Sequence, residues 1–212
     1  LGAKGGSKKL LVKLFAVADP PWIRHCYQLH VSRHVVDLSS SSGVSITVHP
    51  ALVGNGDTVT AKWKEATGSS DWIGLFCPPE RPASRHVEYW RVREREYVTL
   101  RVYNMREDCQ FRYYSNQSAT TLQLLATSNL LQFKHGKKAP LQGHLALTGD
   151  PTEMRVQWTS GTRSTPVVRY GLAVDRLDRT ATGVSHTYSA SDMCGTPANR
   201  SDVFIDPGFL HD

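Results

Sequence analysis

The chain has 212 residues, of which 40% are hydrophobic and 21% charged, and this composition suits one large globular domain or two small ones. Of the formal net charge of +6, the first 34 residues carry +5, because residues 35–212 hold 19 basic and 18 acidic side chains. This balance argues against a nucleic-acid-binding surface. No apolar stretch approaches the ~20 residues of a membrane helix, which argues against a membrane span.

Residues 1–34 form a basic leader that shows no helical or strand period. Glycines and the Pro20-Pro21 pair interrupt it, and we expect it to be disordered or non-native. No signal peptide is recognisable, because Lys13 interrupts the apolar run, and the initial Leu leads us to expect a different native N-terminus. His25, His30 and His34 could share one helical face, but they lack well-placed acidic ligands, so we favour an unstructured leader over a metal site.

From Val44 onward, apolar residues recur at every second position. Two alternating segments, 44–48 and 58–64, flank the turn-forming residues Gly54-Asn55-Gly56-Asp57. Further short strands are predicted over 72–76, 97–103, 111–114, 122–125 and 130–133. The charged stretch 87–95 is interpreted as a solvated face or loop. Short strands of this kind predict an antiparallel sandwich.

The polar segment 134–140 indicates a domain boundary, after which a second β pattern begins. Strands are predicted over 144–148, 154–159, 166–170 and 182–188. The predicted fold class is all-β, with two antiparallel β-sandwich domains of immunoglobulin or fibronectin type III type over residues 35–136 and 137–212. The second is expected to be incomplete, because a fibronectin-like sandwich takes roughly 100 residues.

Tryptophans supply the clearest candidates for core and for recognition. Trp63, Trp72 and Trp158 fall on apolar strand faces, which predicts core positions, with carbohydrate stacking as the alternative. Trp90 stands beside Tyr89 and Arg91 in the charged stretch and is the better candidate for an exposed recognition residue, although packing within a loop is the simpler interpretation.

Several separate segments resemble one family. Residues 140–158 (PLQGHLALTGDPTEMRVQW), 191–195 (SDMCG) and 206–212 (DPGFLHD), together with 70–76 and 104–114, resemble the N-terminal β-domains of plant purple acid phosphatases. The resemblance spans about residues 35–212 and is to the large plant forms, which carry an extra β-domain before the fibronectin-like one. The family motif residues are Asp71, Trp72, Gly149, Asp150, Trp158, Asp192, Met193, Cys194 and Gly195.

The resemblance implies a parent enzyme that hydrolyses phosphate esters at acidic pH in a C-terminal metallophosphoesterase domain. That domain holds an iron and a second divalent metal, which is zinc, manganese or iron. The ligand blocks of that domain are not found in this sequence, since Gly56-Asp57, Gly149-Asp150 and Gly143-His144 continue differently. We therefore predict no catalytic residue, no metal ligand and no cofactor in this chain.

Three functional hypotheses follow. The first is a non-catalytic structural or interaction module whose partner is the missing catalytic domain, with a homodimer as an open alternative and with Asp192 and His211 facing the active site of the intact enzyme. The second is a stand-alone secreted β-sandwich that recognises a glycan or protein through loops around Trp90. The third is salt-sensitive binding of a nucleic acid or membrane surface by the basic leader.

Cysteines and glycosylation sequons bear on the compartment. Asn116 and Asn199 begin Asn-x-Ser triplets, and with the family resemblance they predict a secreted, extracellular or cell-wall glycoprotein. Cys77 and Cys109 flank two predicted strands, and the sequence leaves open whether they form an inter-strand disulfide, as suits a secreted sandwich, or stay two buried free thiols. Cys194 is expected to be unpaired, and the lack of any C-x-x-C pair excludes a zinc finger.

Overall fold

A computed structural model of the chain describes residues 34–40, 42–65, 68, 70–92, 95–116 and 121–212. Within these ranges the regular structure is β-strand, with short 3₁₀ turns at Ala83–Arg85, Gly136–Lys138 and Ala190–Asp192 and no α-helix. The basic leader predicted over 1–34 lies outside the described residues, apart from His34. The described residues divide into two compact units, 34–136 and 137–212.

Ten strands are found among the described residues of the first unit. They are β1 (His34–Asp37), β2 (Ser45–His49), β3 (Leu52–Val53), β4 (Thr58–Lys64), β5 (Trp72–Phe76), β6 (Glu88–Arg91), β7 (Tyr97–Arg101), β8 (Gln110–Asn116), β9 (Thr121–Thr127) and β10 (Gln132–Phe133). A five-stranded sheet has the order β1-β9-β8-β5-β6, a three-stranded sheet has the order β2-β4-β7, and β10 pairs with β3.

The core of the first unit lies between the two larger sheets. Ile46 and Val48 of β2 alternate with exposed neighbours, and Val59, Ala61 and Trp63 do the same on β4. These residues belong to one buried cluster with apolar side chains of β5 and β8. β2 and β4 therefore bury one face and leave the other largely to solvent, as the period-two pattern predicts for a sandwich. β5 and β8 are buried on both faces, because Phe76, Tyr114 and Leu122 form a second buried cluster on the other side of their sheet.

The predicted all-β sandwich architecture is confirmed, but two strand pairs run parallel. β1 is parallel to β9, and β10 is parallel to β3. A parallel pair cannot be closed by a two-residue hairpin and needs a longer crossover. The link from Leu38 to Val44 carries the chain from the five-stranded to the three-stranded sheet. No hairpin therefore fixes the direction of β1 relative to β9.

Within residues 87–95, the interpretation as a loop is wrong for Glu88–Arg91, whereas the alternative of a solvated face agrees with the exposure of most of their side chains. These residues form β6, which pairs antiparallel with β5 at the edge of the five-stranded sheet. Glu88, Tyr89 and Arg91 are exposed, while Trp90 packs partly against the core. An edge strand needs only one partner and is commonly protected by charged side chains, so its sequence looks like that of a loop.

The second unit contains six strands. They are β11 (Leu141–Leu147), β12 (Met154–Ser160), β13 (Val167–Tyr170), β14 (Arg179–Thr182), β15 (Ser185–His186) and β16 (Phe209–His211). They form an antiparallel four-stranded sheet of order β11-β12-β16-β15 and a two-stranded β13–β14 hairpin. The predicted turn at Gly149-Asp150-Pro151 joins β11 to β12.

The single strand predicted over 182–188 is wrong, because the chain changes partner at Gly183. The Gly183 amide donates to the Pro166 carbonyl beside the hairpin, and Val184 exchanges backbone hydrogen bonds with Asp212 after β16. A Cβ on Gly183 would collide with the Asp212 carbonyl. This close approach lets β14 end and β15 begin within three residues, and β16 itself was not predicted.

Candidate functional site

One face of the four-stranded sheet in the second unit carries apolar side chains that remain open to solvent. The register sets Leu145 opposite Val156 and Leu147 opposite Met154, so the four side chains lie on one face. The exposed fraction is 85% for Leu147, 41% for Met154 and 38% for Leu145. Trp158 continues this row along β12 and is half-buried. We call Leu145, Leu147, Met154, Val156 and Trp158 the apolar face.

Exposed apolar groups also occur elsewhere in the second unit. Large hydrophobic side chains that are at least 38% exposed are Val167, Leu172, Val174, Val184, Tyr188, Val203, Ile205 and Leu210. Isolated exposed hydrophobic residues are ordinary on protein surfaces. Contiguous ones on a single sheet face mark a contact surface, and the apolar face is therefore the candidate functional surface of this unit.

The same sheet face ends in a buried polar arrangement around His211. Nε2 of His211 lies 2.7 Å from Oγ of Ser160 on β12, and Nδ1 lies 2.8 Å from Oγ of Ser185 on β15. His211 is 2% exposed, and its ring lies 5.1 Å from the ring of Trp158 at an interplanar angle of 32°. Burial lowers the pKa of His211. The prediction that His211 faces an active site is wrong, because its ring is enclosed within this unit.

Asp150 and Gly149 hold the β11–β12 turn. Oδ1 of Asp150 accepts hydrogen bonds from the Thr152 hydroxyl and amide, both at 2.7 Å. These bonds lower the pKa of the Asp150 carboxyl, the hydroxyl contributing more than the amide. A Cβ on Gly149 would meet no atom within 4 Å. The structure thus gives Asp150 a turn-forming role of the Asx type.

The Asp192-Met193-Cys194-Gly195 motif follows a short 3₁₀ turn. Oδ2 of Asp192 accepts from the amide and hydroxyl of Ser189, at 2.7 and 2.8 Å, in a capping box. These bonds, with that from the amide first, lower the pKa of the Asp192 carboxyl. Cys194 is an exposed free thiol, and Gly195 has φ +135°, a conformation that favours glycine.

In the first unit, Asp71 and Trp72 have separate surroundings. Asp71 is fully buried, and its Oδ2 accepts a 3.0 Å hydrogen bond from the Tyr113 hydroxyl. Its carbonyl accepts from the amide of Val92 at 2.9 Å. Asp71 therefore joins the residues before β5 to strand β8 and to the segment after β6.

Trp72 lies on the outer face of the five-stranded sheet rather than in the main core. Its ring stacks on Tyr114 at 4.7 Å and contacts His86 and Tyr89 edge-on. Trp72, His86 and Tyr89 form the outer aromatic cluster, in which Tyr89 is 38% exposed. The prediction of Trp90 as the exposed recognition residue is wrong, since its ring lies 6.1 Å from that of Phe111 and packs against the core.

Of the remaining sequence-predicted residues, Cys77 and Cys109 form a disulfide with a Cα–Cα distance of 4.4 Å, and both are buried. Asn116 ends β8, and its Nδ2 donates to the Ser70 carbonyl at 2.8 Å, while the next four residues lie outside the described ranges. Asn199 is exposed. Glycosylation of either asparagine stays a prediction.

The iron and second divalent metal of the resembled family were tested against the side chains present. Within the described ranges, no group of three or more His, Cys, Asp or Glu side chains could hold a metal ion. These residues therefore do not fit a dinuclear centre. His25 and His30 lie outside the described residues, and of His34 only the backbone, in β1, is described. A helix capable of spanning a membrane is likewise absent from the part of the chain that the structure describes.

The sequence alone did not identify Ser160 and Ser185, whose hydroxyls hydrogen-bond to the two ring nitrogens of His211 from the neighbouring strands β12 and β15. The two serines are not part of the hydrophobic period-two pattern, so their role can be recognised only after β12, β16 and β15 are paired in the structure. The apolar face was available from the sequence, because Leu145 and Leu147 alternate with His144 and Ala146. The signal for β16 was the pair of apolar residues Phe209 and Leu210 after Gly208, which is short and weak.

Comparison with known proteins relates the chain to one family. Residues 140–212 match the family model described as "Purple acid Phosphatase, N-terminal domain". The chain is 29% identical over 197 residues to "Probable inactive purple acid phosphatase 9" of Arabidopsis thaliana, covering 81% of this chain and 30% of that protein. It is 27% identical over 214 residues to "Probable inactive purple acid phosphatase 1" of the same plant, covering 85% and 34%.

A solved structure shows a related fold. It is a purple acid phosphatase isolated from yellow lupin (Lupinus luteus) seeds, with a TM-score of 0.63 and 23% identity over 80% of this chain and 35% of that chain. At this identity the likeness concerns the fold alone. The chain spans about a third of the length of the curated relatives it matches.

Proposed function

Because residues 140–212 match the family model of the purple acid phosphatase N-terminal domain, we propose that this chain is a non-catalytic structural and interaction module that packs beside a metallophosphoesterase domain. The observation that carries the proposal is the apolar face, where Leu147 is 85% exposed. An apolar sheet face stays solvent-exposed at a cost of about 25 cal/mol for each Å² that a partner could cover. Its natural occupant is another apolar surface.

The remaining parts of the proposal concern the parent protein. In it, a separate domain with iron and a second divalent metal would hydrolyse phosphate esters at acidic pH, while the β-sandwich units position that domain or hold a second copy of the protein. The curated relatives are named as inactive purple acid phosphatases, which is compatible with a role that does not require turnover by this chain. A secreted location, with glycans on Asn116 or Asn199, belongs to the same proposal.

The proposal is tested by binding in trans. The ligand is the part of the Arabidopsis relative named phosphatase 9 that lies outside the alignment, and that relative's own N-terminal third is the positive control. We expect saturable binding of this chain by isothermal titration calorimetry. Leu147→Asp should weaken binding about tenfold or more, which corresponds to about 1.4 kcal/mol.

Thr180→Asp is the matched control, because Thr180 is exposed on β14 in the separate two-stranded hairpin and the substitution adds the same charge. It should bind like the unmodified chain. Binding by the positive control but not by this chain would contradict the proposal. Equal weakening by the two substitutions would show that charge, rather than the apolar face, controls binding.

A second candidate function is glycan recognition by the first unit, and the outer aromatic cluster favours it. Exposed aromatic rings with polar neighbours are a common surface for ligand contact. Tyr89→Ala should abolish retention on immobilised glycans if this function is real, while Tyr97→Ala, which removes an exposed ring from β7, should not. Equal retention of all three proteins, or none by the unmodified chain, would argue against it.

A further inference from the structure

His211 links three strands of the second unit through two serine hydroxyls. Ser160 on β12 and Ser185 on β15 approach its two ring nitrogens at 2.7 and 2.8 Å. His211 is 2% exposed and Ser160 is 5% exposed. We call these three residues the serine–histidine relay. It holds β16, the strand between β12 and β15, to its two neighbours.

The distances define one arrangement of protons in the neutral relay. The Ser185 hydroxyl donates to the Ser164 carbonyl at 2.9 Å, so its oxygen accepts from Nδ1–H of His211, and the Ser160 hydroxyl donates to Nε2. The opposite tautomer would replace the 2.9 Å bond by one of 3.3 Å from Ser160 to the Thr162 carbonyl. Shorter bonds favour the first arrangement.

Protonation of His211 changes this arrangement. Both ring nitrogens would then donate, and the Ser160 hydroxyl would have to turn away towards Thr162, whose carbonyl and hydroxyl oxygens lie at 3.3 and 3.4 Å. The new positive charge would lie on a buried side chain, and burial disfavours the charged form. This is the direction in which burial shifts the pKa of His211.

Charged groups on the neighbouring strands do not compensate that charge. On β12, Arg155 projects from the opposite face of the sheet and pairs with Asp212 at 3.1 Å. On β15, His186 alternates with Ser185 and so lies on that opposite face as well. Among the described residues of β12, β15 and β16, the groups that face His211 are Trp158, Ser160 and Ser185, none of which is ionised.

The relay and the apolar face share one side of the sheet. His211 is the register partner of Trp158, and the two rings contact each other at a centroid distance of 5.1 Å in a tilted arrangement. Val156 and Met154 follow Trp158 at two-residue steps along β12 and point to the same side. A shift of β16 on protonation would therefore move Trp158 and the surface next to it.

We propose that the serine–histidine relay makes docking on the apolar face pH-dependent. The partner binds while His211 is neutral and dissociates as His211 takes up a proton. This inference rests on the proposed function, since it concerns how pH regulates binding to the same apolar face. The direction of the pH dependence follows from linkage. A docked state that requires neutral His211 becomes less populated as the pH falls through the pKa of that group.

The test measures affinity between pH 7.5 and 5.0 for the full chain and the same Arabidopsis segment. We expect affinity to fall by up to about tenfold for each pH unit below the pKa of His211. His211→Gln keeps one donor and one acceptor but does not titrate, so its affinity should change less than about twofold. His49→Gln, at an exposed position of β2, should retain the full pH dependence.

A second readout separates the relay from docking. Amide hydrogen exchange of residues 209–211 should accelerate in the isolated chain on acidification, more than the intrinsic rate requires, and His211→Gln should remove the excess. Docking that keeps its pH dependence in His211→Gln would overturn the inference, as would exchange unaffected by that substitution. If the chain did not dock at any pH while its amide exchange still depended on pH, the proposed function would be contradicted. The serine–histidine relay would then have no role in docking.

Discussion

The Tyr113 hydroxyl donates a 3.0 Å hydrogen bond to Oδ2 of Asp71, and both side chains are fully buried in the first unit. The pair explains why an acidic residue can begin an otherwise apolar segment, Asp71 to Phe76. A buried carboxylate must be hydrogen-bonded, and a hydroxyl from the adjacent strand β8 supplies one of the bonds it requires.

Tyr113→Phe should therefore destabilise the first unit by about 1–3 kcal/mol, because it removes a hydrogen-bond donor to a buried polar side chain without removing the ring. Urea denaturation followed by fluorescence measures the effect. Tyr97→Phe is the matched control, since Tyr97 is 57% exposed, and it should change the free energy of unfolding by less than about 0.5 kcal/mol. Similar losses from both substitutions would contradict a specific role for this hydrogen bond.

The Cys77–Cys109 disulfide joins the end of β5 to the residue before β8, across a separation of 32 residues. Closing a loop of that length in the unfolded chain should stabilise the first unit by about 2–4 kcal/mol. The double substitution Cys77→Ala with Cys109→Ala should lower the unfolding free energy by that amount. Cys194→Ala, which removes an exposed thiol, should not. Alkylation of Cys77 or Cys109 without reductant would contradict the pairing.

The elements predicted well from the sequence are those with one buried and one exposed face. Ile46 and Val48 on β2, and Val59, Ala61 and Trp63 on β4, show the alternation directly, and each lies in the core. Local alternation is sufficient there because burial alone determines which residues face inward. The parallel partners of β1 and β3 could not be predicted, since pairing across sheets depends on how the chain crosses between them.

The candidate surface was only partly predictable for a related reason. Trp158 was recognised as apolar, but its neighbour His211 is 53 positions later in the sequence and meets it only through the pairing of β12 with β16. Trp90 was misplaced because its charged neighbours resemble a loop, whereas β6 gains its hydrogen bonds from β5 alone. Contacts of this kind depend on tertiary structure, which a local period does not contain.

Gly74 should be intolerant of a side chain. It lies in β5 beneath two rings, and a Cβ there would meet ring carbons of Phe76 at 2.8 Å and of Trp72 at 2.9 Å. Gly74→Ala should destabilise the first unit by about 1–3 kcal/mol, because displacing packed rings forces unfavourable rotamers. Gly149→Ala, where a Cβ meets nothing within 4 Å, is the control and should be close to neutral. A neutral Gly74→Ala would show that the rings can move apart freely.

The burial of Tyr114 predicts how the stability of the first unit changes at alkaline pH. Burial raises the pKa of its hydroxyl, although the hydrogen bond from Arg112 opposes the shift. The unfolded chain then loses this proton at lower pH than the folded chain. The stabilisation that follows from the raised pKa of Tyr114 is fully present below its pKa of about 10 in the unfolded chain. It is lost as the pH rises towards the pKa of Tyr114 in the folded chain.

Absorbance at 295 nm should accordingly show one tyrosine that ionises late and together with unfolding. Tyr114→Phe should remove that step and make the free energy of unfolding less dependent on pH between about 10 and 11.5. Tyr97→Phe should leave the late step in place, because the exposed Tyr97 is not buried on folding. Ionisation of Tyr114 in step with the exposed tyrosines would contradict its burial beneath Trp72.

The sharpest test of the non-catalytic role is turnover by the chain itself. Hydrolysis of phosphate esters by a two-metal centre requires ligands that hold two ions about 3.5–4 Å apart, and the described residues bring together no group of three potential ligands. We expect no metal-dependent hydrolysis of a chromogenic phosphomonoester at acidic pH and no stoichiometric iron by elemental analysis. A mock purification from the same host controls for contaminating phosphatase. Chelator-sensitive turnover that exceeds this control and copurifies with bound metal would refute the proposed role, because it would require a metal centre that the described residues do not form.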